Sequence, residues 1–111
     1  NITMDQGAQW TLTVIYEDPN GDPINLTGFN AKMQLRKKFD SATAVLTLES
    51  PASGIVITPL TGTLDLTATT AQMSLIEGGI YVYDLEIESG GVVTRLMMGS
   101  ATVRSEVTKN A

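Results

Sequence analysis

Three groups of polar residues have types and spacings that could support chemistry. The first contains Asp18, Asn20 and Asp22, which have the alternate spacing of a calcium-binding loop. A helical calcium loop needs glycine at its sixth position and a bidentate glutamate at its twelfth, where this sequence has Pro23 and Phe29. Because the segment also contains Asn-Gly between two prolines, we interpret it as a solvated hairpin turn without metal.

The second group is a row of carboxylates at alternate positions of one segment: Asp84, Glu86 and Glu88. Alternate side chains of a strand lie about 6.5–7 Å apart on one face, which fits a catalytic pair and also an ordinary exposed sheet. Two basic residues, Lys32 and Arg36, lie four positions apart in another segment, which places them on one face of a strand. Opposite charges stabilise neighbouring strands by about 0.2–1 kcal/mol per pair. We therefore predict that segments 29–38 and 80–88 lie side by side and form an ion-pair ladder.

The third group could bind sugars or acidic ligands. Its basic members are Lys32, Arg36, Lys37 and Lys38, and its aromatic members are Trp10, Tyr16, Tyr81 and Tyr83. The basic cluster fits a solvated sheet surface followed by a loop. The aromatic residues alternate with polar neighbours, which favours packing in the core over a sugar-binding platform. Phe39 is the aromatic residue that we expect to be exposed.

The composition argues against several classes of function. The sequence has no histidine and no cysteine, so it lacks the commonest general base, the commonest metal ligand and any thiolate nucleophile. We therefore expect a non-enzymatic protein with no catalytic residues, cofactor, metal or small-molecule substrate. The formal net charge of −5 disfavours a nucleic-acid partner. No apolar run reaches the roughly 18 residues of a membrane span, so we expect no membrane insertion.

The hydrophobic pattern predicts about seven to eight short strands and one helical turn. Alternation marks strands at 9–17, 29–36, 44–49, 54–58, 63–67, 80–88, 92–98 and 101–103, and the helical turn lies at 70–76. Gly99 is the expected site of a β-bulge. These elements predict an all-β, immunoglobulin-like antiparallel β-sandwich, with a closed barrel as the alternative. The length fits one domain spanning 1–111, whose ends at 1–5 and 105–111 could extend onto neighbouring proteins.

Several apolar side chains fall on the face of a strand opposite to the one that fills the core. If Leu85 and Ile87 point inward, Val82 points outward. The apolar residues Ile15, Val93 and Met97 likewise lie on the outward faces of their predicted strands. A strand that is apolar on both faces is usually covered on both faces. We therefore predict that Ile15, Val82, Val93 and Met97 contribute to a protein–protein interface.

Four segments resemble a known family. They are 4–8 (MDQGA), 25–36 (NLTGFNAKMQLR), 79–87 (GIYVYDLEI) and 99–103 (GSATV). Together they look like a family of small β-sandwich proteins from the structural gene clusters of tailed bacteriophages and prophages. The resemblance extends over about 2–106 and rests on strand and turn patterns, so it carries no catalytic residues with it.

The resemblance implies a virion protein of the tail, baseplate or long tail fibre attachment, assembled in the cytoplasm of the bacterial host. Its partners would be other virion structural proteins. The chain itself would be present in multiple copies within a symmetric particle. Two alternatives stay open from the sequence. One is a capsid decoration protein, and the other is a module that binds carbohydrate on the host surface.

Overall fold

The computed structural model describes residues 1–106, which form two β-sheets packed face to face. In chain order the elements are β1 (Ile2–Asp5), β2 (Trp10–Ile15), β3 (Asn30–Arg36), β4 (Leu46–Ser50), β5 (Ile55–Thr58), a 3-10 turn (Pro59–Thr61), β6 (Thr63–Ala68), α1 (Thr70–Ser74), β7 (Gly79–Ser89) and β8 (Val92–Arg104). The predicted strands and helical turn are thus present, and the strands at 92–98 and 101–103 are one continuous strand.

The order of the strands defines the fold class. One sheet has the order β1-β8-β7-β3-β4 and the other has the order β2-β6-β5. This matches an immunoglobulin-like sandwich, in which strands G, F, C and C′ face strands B, E and D. All pairs are antiparallel except β1 and β8, which are parallel. The predicted immunoglobulin-like β-sandwich is confirmed.

The core lies between the two sheets and follows the alternation of the sequence. In β3, Ala31, Met33 and Leu35 are buried, whereas Asn30 and Lys32 are exposed. The same alternation operates in β6 and β7, whose buried side chains complete the facing layers: Leu64, Leu66, Tyr81, Tyr83, Leu85 and Ile87. Because each strand contributes one apolar face, the opposite face of each sheet remains free to meet solvent or another protein.

Two local hydrogen-bonding arrangements fix the connection between β6 and β7. Thr69 and Gln72 form a capping box that starts α1, with the Gln72 N–H donating to Thr69 Oγ1 at 3.1 Å. After the helix, the Tyr81 hydroxyl donates to the Glu77 carbonyl at 2.7 Å. A tyrosine bonded back to the chain at this corner is a feature of immunoglobulin-like domains. Burial, and then the nearby Glu77 carboxylate, raise the pKa of Tyr81, so its hydroxyl stays protonated as the donor.

A bulge between β7 and β8 changes which residues of β8 face the core. Leu85 pairs with Met97 and Glu86 pairs with Arg95, so Leu96 is the extra residue. The predicted bulge at Gly99 is therefore wrong, since that residue pairs regularly. The extra residue reverses the alternation beyond it. Met97, which we predicted to be an outward interface residue, consequently packs against the core, and Met98 points outward instead.

The amino-terminal segment is a strand of the sandwich. β1 lies along the carboxyl-terminal part of β8, from Ile2 opposite Ala101 to Asp5 opposite Arg104. Met4 is fully buried in the core. The expectation that residues 1–5 extend onto neighbouring proteins is therefore wrong, because residues 2–5 pair within their own sheet. At the other end, residues 107–111 lie outside the described part of the chain.

Candidate protein-binding surface

The five-stranded sheet presents a broad outer face, built from the side chains of β3, β7 and β8 that point away from the core. β3 lies beside β7, as the charge pattern predicted. The register places Lys32 opposite Glu86, Gln34 opposite Asp84, and Arg36 opposite Val82. β8 adds Val93, Arg95 and Met98 on the other side of β7, opposite Glu88, Glu86 and Asp84 respectively.

Part of the acidic row on the outer face is neutralised, but by a different residue from those predicted. Among the described residues, the ion pairs of the acidic row come from Arg95 on β8, at 3.7 Å to Asp84 and 3.5 Å to Glu86. Arg36 instead donates to the Gln34 side chain at 2.9 Å and to the Ser41 carbonyl at 2.6 Å. The prediction that Lys32 and Arg36 form an ion-pair ladder with Asp84, Glu86 and Glu88 is therefore wrong. The bulge at Leu96 is what brings Arg95 beside this row.

Apolar side chains surround these charges. Phe39, in the loop between β3 and β4, is 71% exposed, and Val93 and Met98 are 57% and 54% exposed. Val82 is half-buried and, with Phe39 and Met98, helps to line a depression of about 120 Å³ around Arg36 and Asp84. The surface therefore combines exposed apolar side chains with charged groups.

A second, larger groove lies at the opposite end of this face. It has a volume of about 360 Å³ and runs between β4 and the hairpin of β7 and β8. Lys32, Glu49, Glu88 and Val93 are among its lining residues. The outer face thus offers two concave regions, the smaller lined in part by Asp84 and Arg95 and the larger in part by Glu86.

Ile15 belongs to a different surface from the other predicted interface residues. It is 56% exposed on the outer face of the three-stranded sheet, which also carries the exposed Val56. Val82 and Val93 lie on the outer face of the five-stranded sheet, and Met97 faces inward. The four predicted residues therefore do not form one patch. Sequence alternation missed Met98 and Arg95, because a bulge leaves no signal in the hydrophobic pattern.

The other motifs singled out in the sequence contribute to the fold. Asp18 Oδ1 accepts hydrogen bonds from the backbone N–H groups of Asn20 and Asp22, at 2.9 and 3.0 Å, so this carboxylate closes a turn. Residues 1–106 contain no group of three or more acidic side chains arranged to hold a metal ion. Tyr81 and Tyr83 are buried in the core, as their alternation predicted. Within the same residues, no helix has the length and apolar character needed to cross a membrane.

The contact between β1 and β8 is reinforced at the surface by a bidentate pair. Arg104 donates to both carboxylate oxygens of Asp5, at 2.6 and 3.0 Å. These hydrogen bonds hold the pKa of Asp5 below its usual value of 3.8. The pair therefore favours the folded state above that value, and this contribution is lost as the pH falls through the lower pKa of the folded state.

Replacing Asp5 with asparagine tests this linkage. We expect Asp5→Asn to lower the midpoint of thermal unfolding at pH 7, and the difference from the unsubstituted chain to vanish in strong acid. Thermal scans at a series of pH values measure this difference. Asp40→Asn, at an exposed loop carboxylate, is the control and should leave the midpoint unchanged. A difference that stays constant down to pH 2 would contradict the assignment.

The topology and the tyrosine corner define the chain as an immunoglobulin-like β-sandwich with an exposed, mixed apolar and charged sheet face. No family model and no curated protein matches the sequence. One solved structure that is similar to the chain is that of murine CRIg, with a TM-score of 0.43 and 16% identity, covering 95% of this chain and 91% of that chain. No conclusion about function follows from this likeness.

Proposed function

We propose that this chain is a non-catalytic structural or adaptor domain of a bacteriophage virion. In this role it binds neighbouring particle proteins at the tail, the baseplate or the attachment of the long tail fibre, and is present in multiple copies. The observation that carries the proposal is the outer face of the five-stranded sheet, where Phe39, Val82, Val93 and Met98 surround the ion pairs of Arg95 with Asp84 and Glu86. The virion part of the proposal rests on the resemblance of segments 25–36 and 79–87 to phage virion proteins.

The chemistry of this face supports binding over catalysis. Asp84 and Glu86 are engaged by Arg95, and Arg36 is engaged by Gln34 and Ser41. Side chains committed to one another in this way are poor candidates for proton transfer, and the sequence offers no histidine or cysteine in their place. Apolar side chains around a depression are instead suited to receive a protruding side chain of a partner.

Phe39 favours a second candidate function. A highly exposed aromatic ring beside a depression containing charged groups could stack on a sugar ring of the host surface. This would make the chain a carbohydrate-binding module of the particle. A capsid decoration protein, which would use the same face against capsid protein, is the other alternative within the virion class.

Binding assays with particle components test these roles. The purified chain is mixed with tail, baseplate, fibre and capsid proteins of the phage whose structural genes accompany it, and complexes are measured by light scattering. We expect a discrete complex with a tail, baseplate or fibre protein. Phe39→Ser and Val82→Lys should each weaken it about 10-fold or more, the loss typical of a central interface residue. Val56→Lys, on the outer face of the other sheet, should not.

Each other outcome overturns part of the proposal. A complex with capsid protein alone would identify a decoration protein. Retention of host polysaccharide that is lost in Phe39→Ser, without any protein complex, would identify the carbohydrate-binding module. If the chain binds no particle protein and no polysaccharide, the virion role itself is wrong.

A further inference from the structure

The five methionines of the chain differ in how far they are exposed. Met4, Met33 and Met73 are buried in the core, with 0%, 2% and 0% of their surface exposed. Met97 is half-buried and packs against the core, whereas Met98 is 54% exposed on the outer face of the five-stranded sheet. The rate at which a dissolved oxidant attacks a methionine depends on its access to the sulfur. Met98 is therefore the methionine that such an oxidant reaches most easily.

The bulge in β8 decides which of two adjacent methionines meets solvent. Regular alternation along the strand would place Met97 on the same face as Arg95, which is the outer face. The extra residue, Leu96, instead places Met98 there, and Met97 pairs with the buried Leu85. A reaction that distinguishes Met97 from Met98 therefore reports on the register of the hairpin of β7 and β8.

The surroundings of Met98 suit an oxidised sulfur better than a thioether. The Arg95 guanidinium contacts Asp84 through Nε at 3.7 Å and Glu86 through Nη2 at 3.5 Å. Its remaining nitrogen, Nη1, lies 4.0 Å from Met98 Sδ. A thioether is a weak acceptor, so this donor gains little from it. An oxygen on the same sulfur, when directed toward Nη1, lies within hydrogen-bonding distance, and the two carboxylates keep the other nitrogens.

We propose that Met98 is a selective oxidation site, which hydrogen peroxide converts to methionine sulfoxide, and that Arg95 binds the sulfoxide oxygen. A lone pair of Met98 Sδ attacks one oxygen of the peroxide, so that an S–O bond forms while the O–O bond breaks. The proton of the transferred oxygen passes to the departing hydroxide, which leaves as water. The sulfur loses two electrons and the peroxide gains them. The product is a polar, chiral side chain in place of a flexible apolar one.

This site lies within the surface that carries the proposed function. Met98 lines the depression of about 120 Å³ together with Phe39 and Val82. Oxidation places a strong hydrogen-bond acceptor where a partner would bury an apolar group, and burial removes the water that solvates it. This consequence rests on the proposed function. We expect the oxidised chain to bind its particle protein about 10-fold more weakly than the reduced chain.

Timed exposure to hydrogen peroxide, followed by peptide mass spectrometry, tests the site without any partner. Fragment spectra separate the adjacent residues Met97 and Met98. We expect Met98 to be oxidised about 10-fold faster than Met4, Met33 and Met73, and also faster than Met97. The variant M98L should lose the fast reaction. Its matched control M97L should keep it, since both changes replace a thioether with an apolar side chain of similar volume.

The contact with Arg95 has a readout of its own. The side-chain NMR resonances of Arg95 should shift when M97L is oxidised, and should stay in place when M98L receives the same treatment. The midpoint of thermal unfolding should not fall on oxidation of M97L, because Met98 lies outside the core. Arg95 resonances that do not shift would overturn the assignment of Arg95 as the donor to the sulfoxide.

Other outcomes overturn the site or its consequence separately. Faster oxidation of Met97 than of Met98, or equal rates at the five methionines, overturns the oxidation site. Binding to the particle protein should be weakened by peroxide in M97L and unchanged by peroxide in M98L. Equal weakening in both variants overturns the consequence for binding. If Met98 is oxidised first but the reduced chain binds no particle protein, the oxidation site is supported and the proposed function is wrong.

Discussion

Truncation of Leu66 to alanine lowers the free energy of unfolding by about 2–5 kcal/mol. Leu66 is 1% exposed and lies in the middle strand of the three-stranded sheet, opposite Leu12 on one side and Ile55 on the other. Removing three of its carbon atoms leaves a cavity that β2 and β5 cannot fill without losing their pairing with β6. Urea unfolding followed by the fluorescence of Trp10 measures the change.

A substitution on the other face of the same sheet provides the control. Val56 is 66% exposed, so Val56→Ala removes little buried area and should change the free energy of unfolding by less than about 0.5 kcal/mol. If Leu66→Ala and Val56→Ala cost the same, the assignment of inner and outer faces in this sheet is wrong. The comparison therefore checks which face of the three-stranded sheet points into the core, as well as the packing of Leu66.

Replacement of Gly62 with alanine is expected to be the most damaging of the glycine substitutions. Gly62 follows the 3-10 turn with φ of 60°, a left-handed conformation that costs alanine about 1–2 kcal/mol. A methyl group there would also lie 2.6 Å from the Tyr16 carbonyl oxygen and 2.8 Å from that of Ile24. Backbone atoms cannot move aside as the end of a side chain can, so the loss should exceed the cost of the conformation.

Gly28 separates these two contributions. Its φ is 85°, but an added methyl group would meet no atom within 4 Å. Gly28→Ala should therefore show the conformational cost alone, and Gly62→Ala should lose more free energy of unfolding in the same urea titration. Equal losses would mean that the backbone at Tyr16 and Ile24 moves away from residue 62 easily, despite the short distances to its added methyl group.

The sequence predicted the sandwich well because its strands alternate clearly. In β3 and β7 the apolar positions 31, 33, 35 and 81, 83, 85, 87 define one face, and charges of opposite sign on the other face correctly placed the two strands together. The fold class follows from these strands and their turns. The capping box of Thr69 and Gln72 likewise explains the helical turn that interrupts the pattern.

The sequence did not predict correctly which residues form the outer face of the five-stranded sheet. One inserted residue, Leu96, moves Met97 inward and Met98 outward, and such a bulge belongs to the pairing of β8 with β7, which the alternation of β8 alone does not reveal. The same shift brings Arg95 to the acidic row in place of Lys32 and Arg36. The parallel pairing of β1 also depends on residues at the other end of the chain, so its short apolar segment gave no separate signal.

The pairing of β1 with β8 has a consequence for how the protein is made. Ile2 meets Ala101, a partner that the ribosome adds 99 positions later. At synthesis rates of about 5–20 residues per second, the first strand waits roughly 5–20 s for the last one. Until β8 has been synthesised, β1 has no strand to pair with, and β7, once made, has one open side. The nascent chain therefore closes its sandwich only after residues 101–104 have been synthesised, which makes this segment the step that commits the whole domain to its fold.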